Sequence, residues 1–143
     1  MNAGGIYQEA IMALATSAIG HGTLSSPDGM ASGDNPLCGD SVEMRVNVSR
    51  GRIIALSHQV KGCLLCRAAA SVIGQLATGA NLDDIERINA AVAKMLKKQA
   101  PPPAGWQELQ AFAPVHAHRS RFHCVTLPFE ALIAALHAAG DSC

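Results

Sequence analysis

Aromatic residues are scarce in this chain: three Phe, one Tyr and one Trp make up 3% of its 143 residues. Its core must therefore be built mainly from Ala, Val, Ile, Leu and Met. Charge of one sign is missing too, because eleven basic residues balance eleven acidic ones. No strong field favours nucleic acid or an anionic membrane, while a protein partner stays compatible with that balance. No apolar run approaches the ~20 residues of a membrane helix. The first residues lack the basic group and long apolar stretch of a secretory signal. A disulfide framework is not indicated either, since the five cysteines are odd in number and the chain exceeds the small secreted domains that need staples. The expectation is a cytoplasmic protein whose thiols stay free for metal or sulfur chemistry. The apolar fraction of 49% and the length suit one domain, residues 1–143, with a real core.

The hydrophobic pattern divides the chain. Gly5 to Ile19 carries helically spaced apolar positions, and His21 to Gly33, rich in Gly, Ser, Pro and Asp, reads as a loop. Val42, Met44, Val46 and Val48 alternate with Ser41, Glu43, Arg45 and Asn47, as in a half-buried strand. After the turn candidate Ser49-Arg50-Gly51, the residues Ile54, Leu56, His58 and Val60 continue the alternation, so the pair reads as a hairpin. Helices are expected from Leu64 to Leu76 and from Leu82 to Lys98. The second has Asp83, Asp84 and Glu86 at its start and Lys94, Lys97 and Lys98 at its end, matching the helix dipole. Pro101-Pro102-Pro103 breaks the chain. A short helix around Trp106 to Phe112 and a last one from Pro128 to Ala139 follow, with Trp106 anchoring the insertion to the core. The fold class is α+β: a small antiparallel sheet, the hairpin with a third strand, packed against several helices.

Three cysteines occupy unlike settings. Cys38 lies in the Pro/Gly turn Asn35-Pro36-Leu37-Cys38-Gly39-Asp40. Cys63, in Gly62-Cys63-Leu64-Leu65-Cys66, opens a helix, where the dipole favours a thiolate. Cys124 follows the basic stretch Arg121-Phe122-His123. Soft sulfur ligands offered from separate segments, with Asp40 and His123 beside them, are what a partly open zinc or iron–sulfur site requires.

Taken in order, these segments resemble the U-type iron–sulfur cluster assembly proteins over nearly the whole chain. The markers are Asn35-Pro36-x-Cys38-Gly39-Asp40, then Gly62-Cys63 opening a helix through Ala68-Ala69-Ala70-Ser71, then Arg121-x-x-Cys124 leading into Leu127-Pro128-Phe129-Glu130-Ala131-Leu132. The Leu-Pro-Pro-Val-Lys motif of the general scaffolds is absent. The long interval between the second and third cysteines, with its Pro-rich insertion, is more similar to the Suf-type branch. Cys66 stands where that family usually carries a small residue such as serine.

The resemblance implies that Cys38, Asp40, Cys63 and Cys124 hold Zn2+ or a nascent [2Fe-2S] cluster. It implies that Cys124 accepts persulfide sulfur from a cysteine desulfurase of the SufS/IscS kind, and that apo iron–sulfur proteins are the eventual acceptors. His123, directly before Cys124, is an alternative cluster ligand. A monomer or weak homodimer is implied. The Suf-type reading makes the protein a zinc-dependent sulfurtransferase, and the rival makes it a non-enzymatic scaffold that assembles and transfers [2Fe-2S] clusters.

The same residues have plainer readings. Cys66 with Cys63 forms a Cys-x-x-Cys pair that would suit a thiol–disulfide oxidoreductase, although no βαβ pattern surrounds it. Cys66 also reads as a small buried hydrophobe, Arg121 as a capping or pairing residue, and His58 as a core histidine. A purely structural zinc site is the remaining rival, and it predicts unfolding when metal is removed.

Overall fold

The computed structural model describes residues 9–37 and 39–141. The beginning of the expected first helix, Cys38 and the terminal Cys143 lie outside the described residues. Among those described, helix α1 (Glu9–Ser17) is followed by strands β1 (Gly29–Asn35), β2 (Asp40–Ser49) and β3 (Arg52–Lys61). Helices α2 (Leu64–Leu76) and α3 (Leu82–Lys98) come next, then 3-10 turns at Gln107–Ala117 and Arg119–Arg121, and finally α4 (Phe122–Asp141). The strands form an antiparallel meander in the order β1-β2-β3. The α+β architecture is therefore as expected, with the third strand beginning inside the Gly- and Ser-rich stretch that composition alone marks as loop.

The hairpin forms where the alternation puts it. Val42, Met44 and Val46 are buried, and Arg50 and Gly51 both take positive φ (54° and 78°), as a two-residue turn between twisted strands demands. One detail of the second strand differs from the sequence reading. The register shifts between Asn47 and Val48, so that Val48 pairs with Ile53 and Asn47 with Ala55. The extra residue is Ile54, which is 58% exposed, while Ile53 takes its place in the core. A bulge resets the phase, and below it Leu56 and His58 face inward again.

The helices cover one face of this sheet. α2 is Ala-rich because other elements approach it closely: Ala68, Ala69, Ala70 and Ser71 are fully buried, and a Cβ on Gly74 would sit 2.0 Å from the Ile19 carbonyl oxygen. The Ser71 hydroxyl accepts a hydrogen bond from the Ile19 amide (3.1 Å), fixing the end of α1 against α2. α3 begins with a reciprocal cap. Asn81 Oδ1 accepts from the Asp84 amide and Asp84 Oδ2 from the Asn81 amide, so Asn81 opens this helix. Trp106 is buried against Phe129, ring centroids 5.9 Å apart, which ties the Pro-rich insertion to the core as expected. The segment that follows it is 3-10 rather than α-helical, and it contains Pro114.

α4 starts six residues earlier than the sequence suggests, at Phe122 rather than Pro128, and Pro128 lies inside it. The helix crosses β1 so closely that a Cβ on Gly29 would lie 2.1 Å from the Ala135 carbonyl oxygen. The stretch Arg119–Gly140 is long and apolar enough to cross a membrane, yet 56% of its most apolar window is buried inside the domain, as befits a core helix.

His58 joins α1 to the sheet. It is 3% exposed, its Nε2–H donates to the Ile19 carbonyl at 2.8 Å, and its Nδ1 has no partner among the described residues. Burial lowers its pKa below 6.5; the bond to Ile19 opposes that shift, and nearby His21 adds to it. The unfolded chain therefore binds the proton more readily than the folded one. Stability is expected to be full above pH 6.5, the unfolded value, and to decline as pH falls below it toward the lower folded value. Urea unfolding across pH 5–8 (about the range where histidine titrates) measures this, and His58→Gln should flatten the profile.

Candidate metal centre

The site lies where the open end of the hairpin meets the starts of two helices. Asp40 is the first residue of β2, Cys63 caps α2, and Cys124 lies in the first turn of α4. One ligand atom from each of these three lies within 4.8 Å of the others. Asp40 is 1% exposed and Cys124 fully buried, while Cys63 is partly accessible.

Local sequence explains the convergence. Asn35 ends β1 opposite Asp40, and its side chain is nearly buried. Its Oδ1 accepts from the Leu37 amide (3.2 Å) and its carbonyl from the Gly39 amide (2.8 Å), closing a tight Asx-type connection. Across the hairpin, Cys63 takes an extended conformation (φ −75°, ψ 167°) as N-cap of α2, with no hydrogen bond from its own side chain to the helix. Its amide instead donates to Asp40 Oδ1 at 2.8 Å, and its Sγ lies 3.5 Å from Asp40 Oδ2. One carboxylate oxygen is thus held by the backbone, and the other lies against the Cys63 thiol.

Gly62 makes room for this contact. It has φ 151°, and a Cβ on it would fall 2.1 Å from Asp40 Oδ1 and 2.9 Å from Asp40 Cα. Only glycine lets the end of β3 lie directly on the carboxylate. The Gly62 carbonyl in turn accepts from Arg67 Nε at 3.2 Å.

The donor set fits a metal ion. A nearly buried carboxylate is costly unless it is paired, and among the described residues no Lys, Arg or His forms an ion pair with Asp40. Two thiols and one carboxylate oxygen in reach of one another are suitable ligands for zinc or iron, and the balance of sulfur favours such ions over calcium or magnesium.

Of the residues singled out from the sequence, Asp40, Cys63 and Cys124 come together. Cys38 lies outside the described residues. His123 is not part of the group: its Nε2 lies 3.0 Å from Glu130 Oε1, seven residues further along α4. Cys66 is fully buried and also stands apart from the ligand group. Arg121 sits in the 3-10 turn just before α4, its amide donating to the His118 carbonyl at 2.8 Å. The supporting roles of Asn35 and Gly62 were not read from the sequence, although Gly62 adjoins Cys63 and Asn35 opens the turn that leads to Asp40. An Asn two residues before a bonded amide, and a Gly at the strand-to-helix junction, were the available signals.

Such an arrangement, a three-stranded meander under helices with a thiol–carboxylate cluster at one end, defines a small α+β domain built around a candidate metal centre. Comparison with known proteins takes the class further. Residues 6–137 match the family described as NifU-like N terminal domain, and the chain belongs to that family. It is 23% identical over 131 residues to the iron–sulfur cluster assembly scaffold protein IscU of Thermotoga maritima, covering 92% of each chain. Among solved structures it is similar to a nitrogen-fixing NifU-like protein (N-terminal) from Brucella abortus, with a TM-score of 0.90, 27% identity and 96% of each chain covered. The fold is also that of a candidate SUF-system scaffold from Fervidobacterium islandicum, with a TM-score of 0.85 at 21% identity, covering 94% of this chain and 99% of that one.

Proposed function

We propose that this protein is an iron–sulfur cluster assembly factor that binds a metal at Cys38, Asp40, Cys63 and Cys124 and receives sulfur at Cys124. The observation that carries the reading is the convergence of Asp40, Cys63 and Cys124 from three separate elements of a NifU-like domain. The long interval between Cys63 and Cys124 and the missing Leu-Pro-Pro-Val-Lys motif favour the Suf-type branch, with zinc at the site. Zinc, when bound, would hold the sulfurs as thiolates.

The chain's own residues do the rest. The Cys63 amide fixes Asp40 with its other oxygen against the Cys63 thiol. A carboxylate oxygen is the weaker donor of the set, so Asp40 would be the ligand held least tightly by the metal. The Cys124 thiolate attacks the terminal sulfur of the persulfide on a cysteine desulfurase. A new S–S bond forms to Cys124, the donor's S–S bond breaks, and the donor cysteine leaves as its thiolate, with no net oxidation. The sulfur is then available for clusters bound for apo acceptor proteins.

The test is incubation of the anaerobically purified protein with a cysteine desulfurase and labelled cysteine, followed by mapping of each cysteine peptide. The expected result is the added mass of one sulfur atom on the Cys124 peptide and faster turnover of the desulfurase. No sulfur on any cysteine, together with metal removal that unfolds the chain, would make the site purely structural. The second reading, a [2Fe-2S] scaffold, draws on the similarity to the Thermotoga maritima scaffold. It predicts a cluster that assembles on the chain and passes to an apo-ferredoxin, with His123 turning from Glu130 toward the site.

A further inference from the structure

A thiol that accepts sulfur from another protein has to meet it, and Cys124 is fully buried. The turn that carries it is built differently from the helix it begins. In an α-helix the amide of residue 128 would donate to the carbonyl of residue 124, and Pro128 has no such hydrogen. The helical bond that would tie the Cys124 peptide to the next turn is therefore missing by sequence. Upstream, the chain enters through 3-10 turns, whose hydrogen bonds are poorer than those of an α-helix. Downstream, Phe129, Leu132 and Ala135 are fully buried and hold the helix firmly.

Room to move lies alongside. A surface hollow of about 300 Å³ lies between α3 and the start of α4, lined by Asn89, Leu96 and Lys97 on one side and by Phe122, His123 and Glu130 on the other. An exposed polar link spans the proline. His123 Nε2 lies 3.0 Å from Glu130 Oε1, with side chains 43% and 47% exposed, joining the loosened turn to the fixed part of the helix.

We propose that Pro128 makes the first turn of α4 a hinge on which Cys124 moves between the metal centre and the surface, with His123–Glu130 as the clasp that holds it closed. The inference rests on reading Cys124 as the sulfur acceptor. Pro128 is a positioning residue, because it acts through the peptide of Cys124 and touches no sulfur donor itself.

Two substitutions test it in opposite directions. Pro128→Ala restores the missing amide, and Glu130→Ala releases the clasp. The full chain as purified is treated with iodoacetamide, and the labelling rate of each cysteine is read by mass spectrometry alongside hydrogen exchange of residues 122–128. In Pro128→Ala, Cys124 should label about tenfold more slowly, one hydrogen bond's worth of added closure, with slower exchange in that turn and Cys63 unchanged. In Glu130→Ala, Cys124 should label roughly twofold faster, as expected of an exposed pair. Cys124 labelling at the wild-type rate in Pro128→Ala overturns the hinge. So does a change in Cys124 that Cys63 follows in parallel, since that would report global unfolding. Sulfur acceptance is measured separately: a wild-type chain that takes no sulfur removes the acceptor reading while the labelling result still decides the hinge.

Discussion

Gly62→Ala is expected to lower both stability and metal affinity more than any other change at a non-ligand position of the site. Its φ of 151° disfavours a side chain, and the added Cβ would lie 2.1 Å from Asp40 Oδ1 with the Asp40 backbone close behind. The end of β3 would have to move away from β2, breaking the Cys63 amide bond to Asp40. The expected cost is about 2–4 kcal/mol of stability, combining backbone strain with overpacking. Zinc affinity should fall about 10–100-fold, the usual effect of losing a group that orients a ligand. Gly39→Ala is the control, because Gly39 also has positive φ (74°) but nothing lies within 4 Å of the added Cβ. It should cost only the backbone term, about 1 kcal/mol. Urea unfolding and competition with a chromophoric chelator measure both quantities. A Gly62→Ala protein that binds zinc like the wild type would show that Asp40 need not be held where it is.

The second large effect separates the two cysteines that lie one helical turn apart from the one that lies on α4. Cys124→Ser should abolish sulfur acceptance, since a hydroxyl cannot form the persulfide, and should weaken the metal by removing one soft ligand. Cys66→Ala should leave both intact, because Cys66 is fully buried and outside the ligand group. Its cost should be a modest loss of packing, about 1 kcal/mol. The Cys-x-x-Cys oxidoreductase reading makes the opposite prediction, with activity surviving at Cys124→Ser and lost at Cys66→Ala. Sulfur transfer and disulfide-reductase assays on the same two variants decide between them.

The parts of this fold that could be read from the sequence are those where local pattern and tertiary burial agree. α2 and α3 start and stop where the Ala-rich run, the acidic first turn and the terminal lysines place them. The hairpin is visible because its core face alternates strictly along β2. Misreadings arose where tertiary packing overrides local preference. β1 carries two glycines, which composition assigns to a loop, yet Gly29 is needed for α4 to lie on the strand. Pro128 looks like a helix start, but it is buried within α4, and the buried apolar face downstream keeps the helix in place although one hydrogen bond is lost. The bulge at Ile54 has no signal in a pattern whose period is two on either side.

The candidate ligands were legible for a different reason. Asp40, Cys63 and Cys124 each sit beside a turn glycine or in a distinctive motif, and chemistry, rather than periodicity, marks them. Their mutual distance could not be read, because it depends on how three elements far apart in sequence pack together. The amide of Cys63 on Asp40 was equally invisible, being a backbone bond that any residue at that position could make.

The most direct test of the account is the metal and acid-labile sulfide content of the anaerobically purified protein, measured for the wild type and for Cys63→Ser. The expected result is about one zinc per chain without sulfide, held by thiolates and lost or strongly weakened in Cys63→Ser. A wild-type chain that carries no metal and takes up neither zinc nor iron would contradict it.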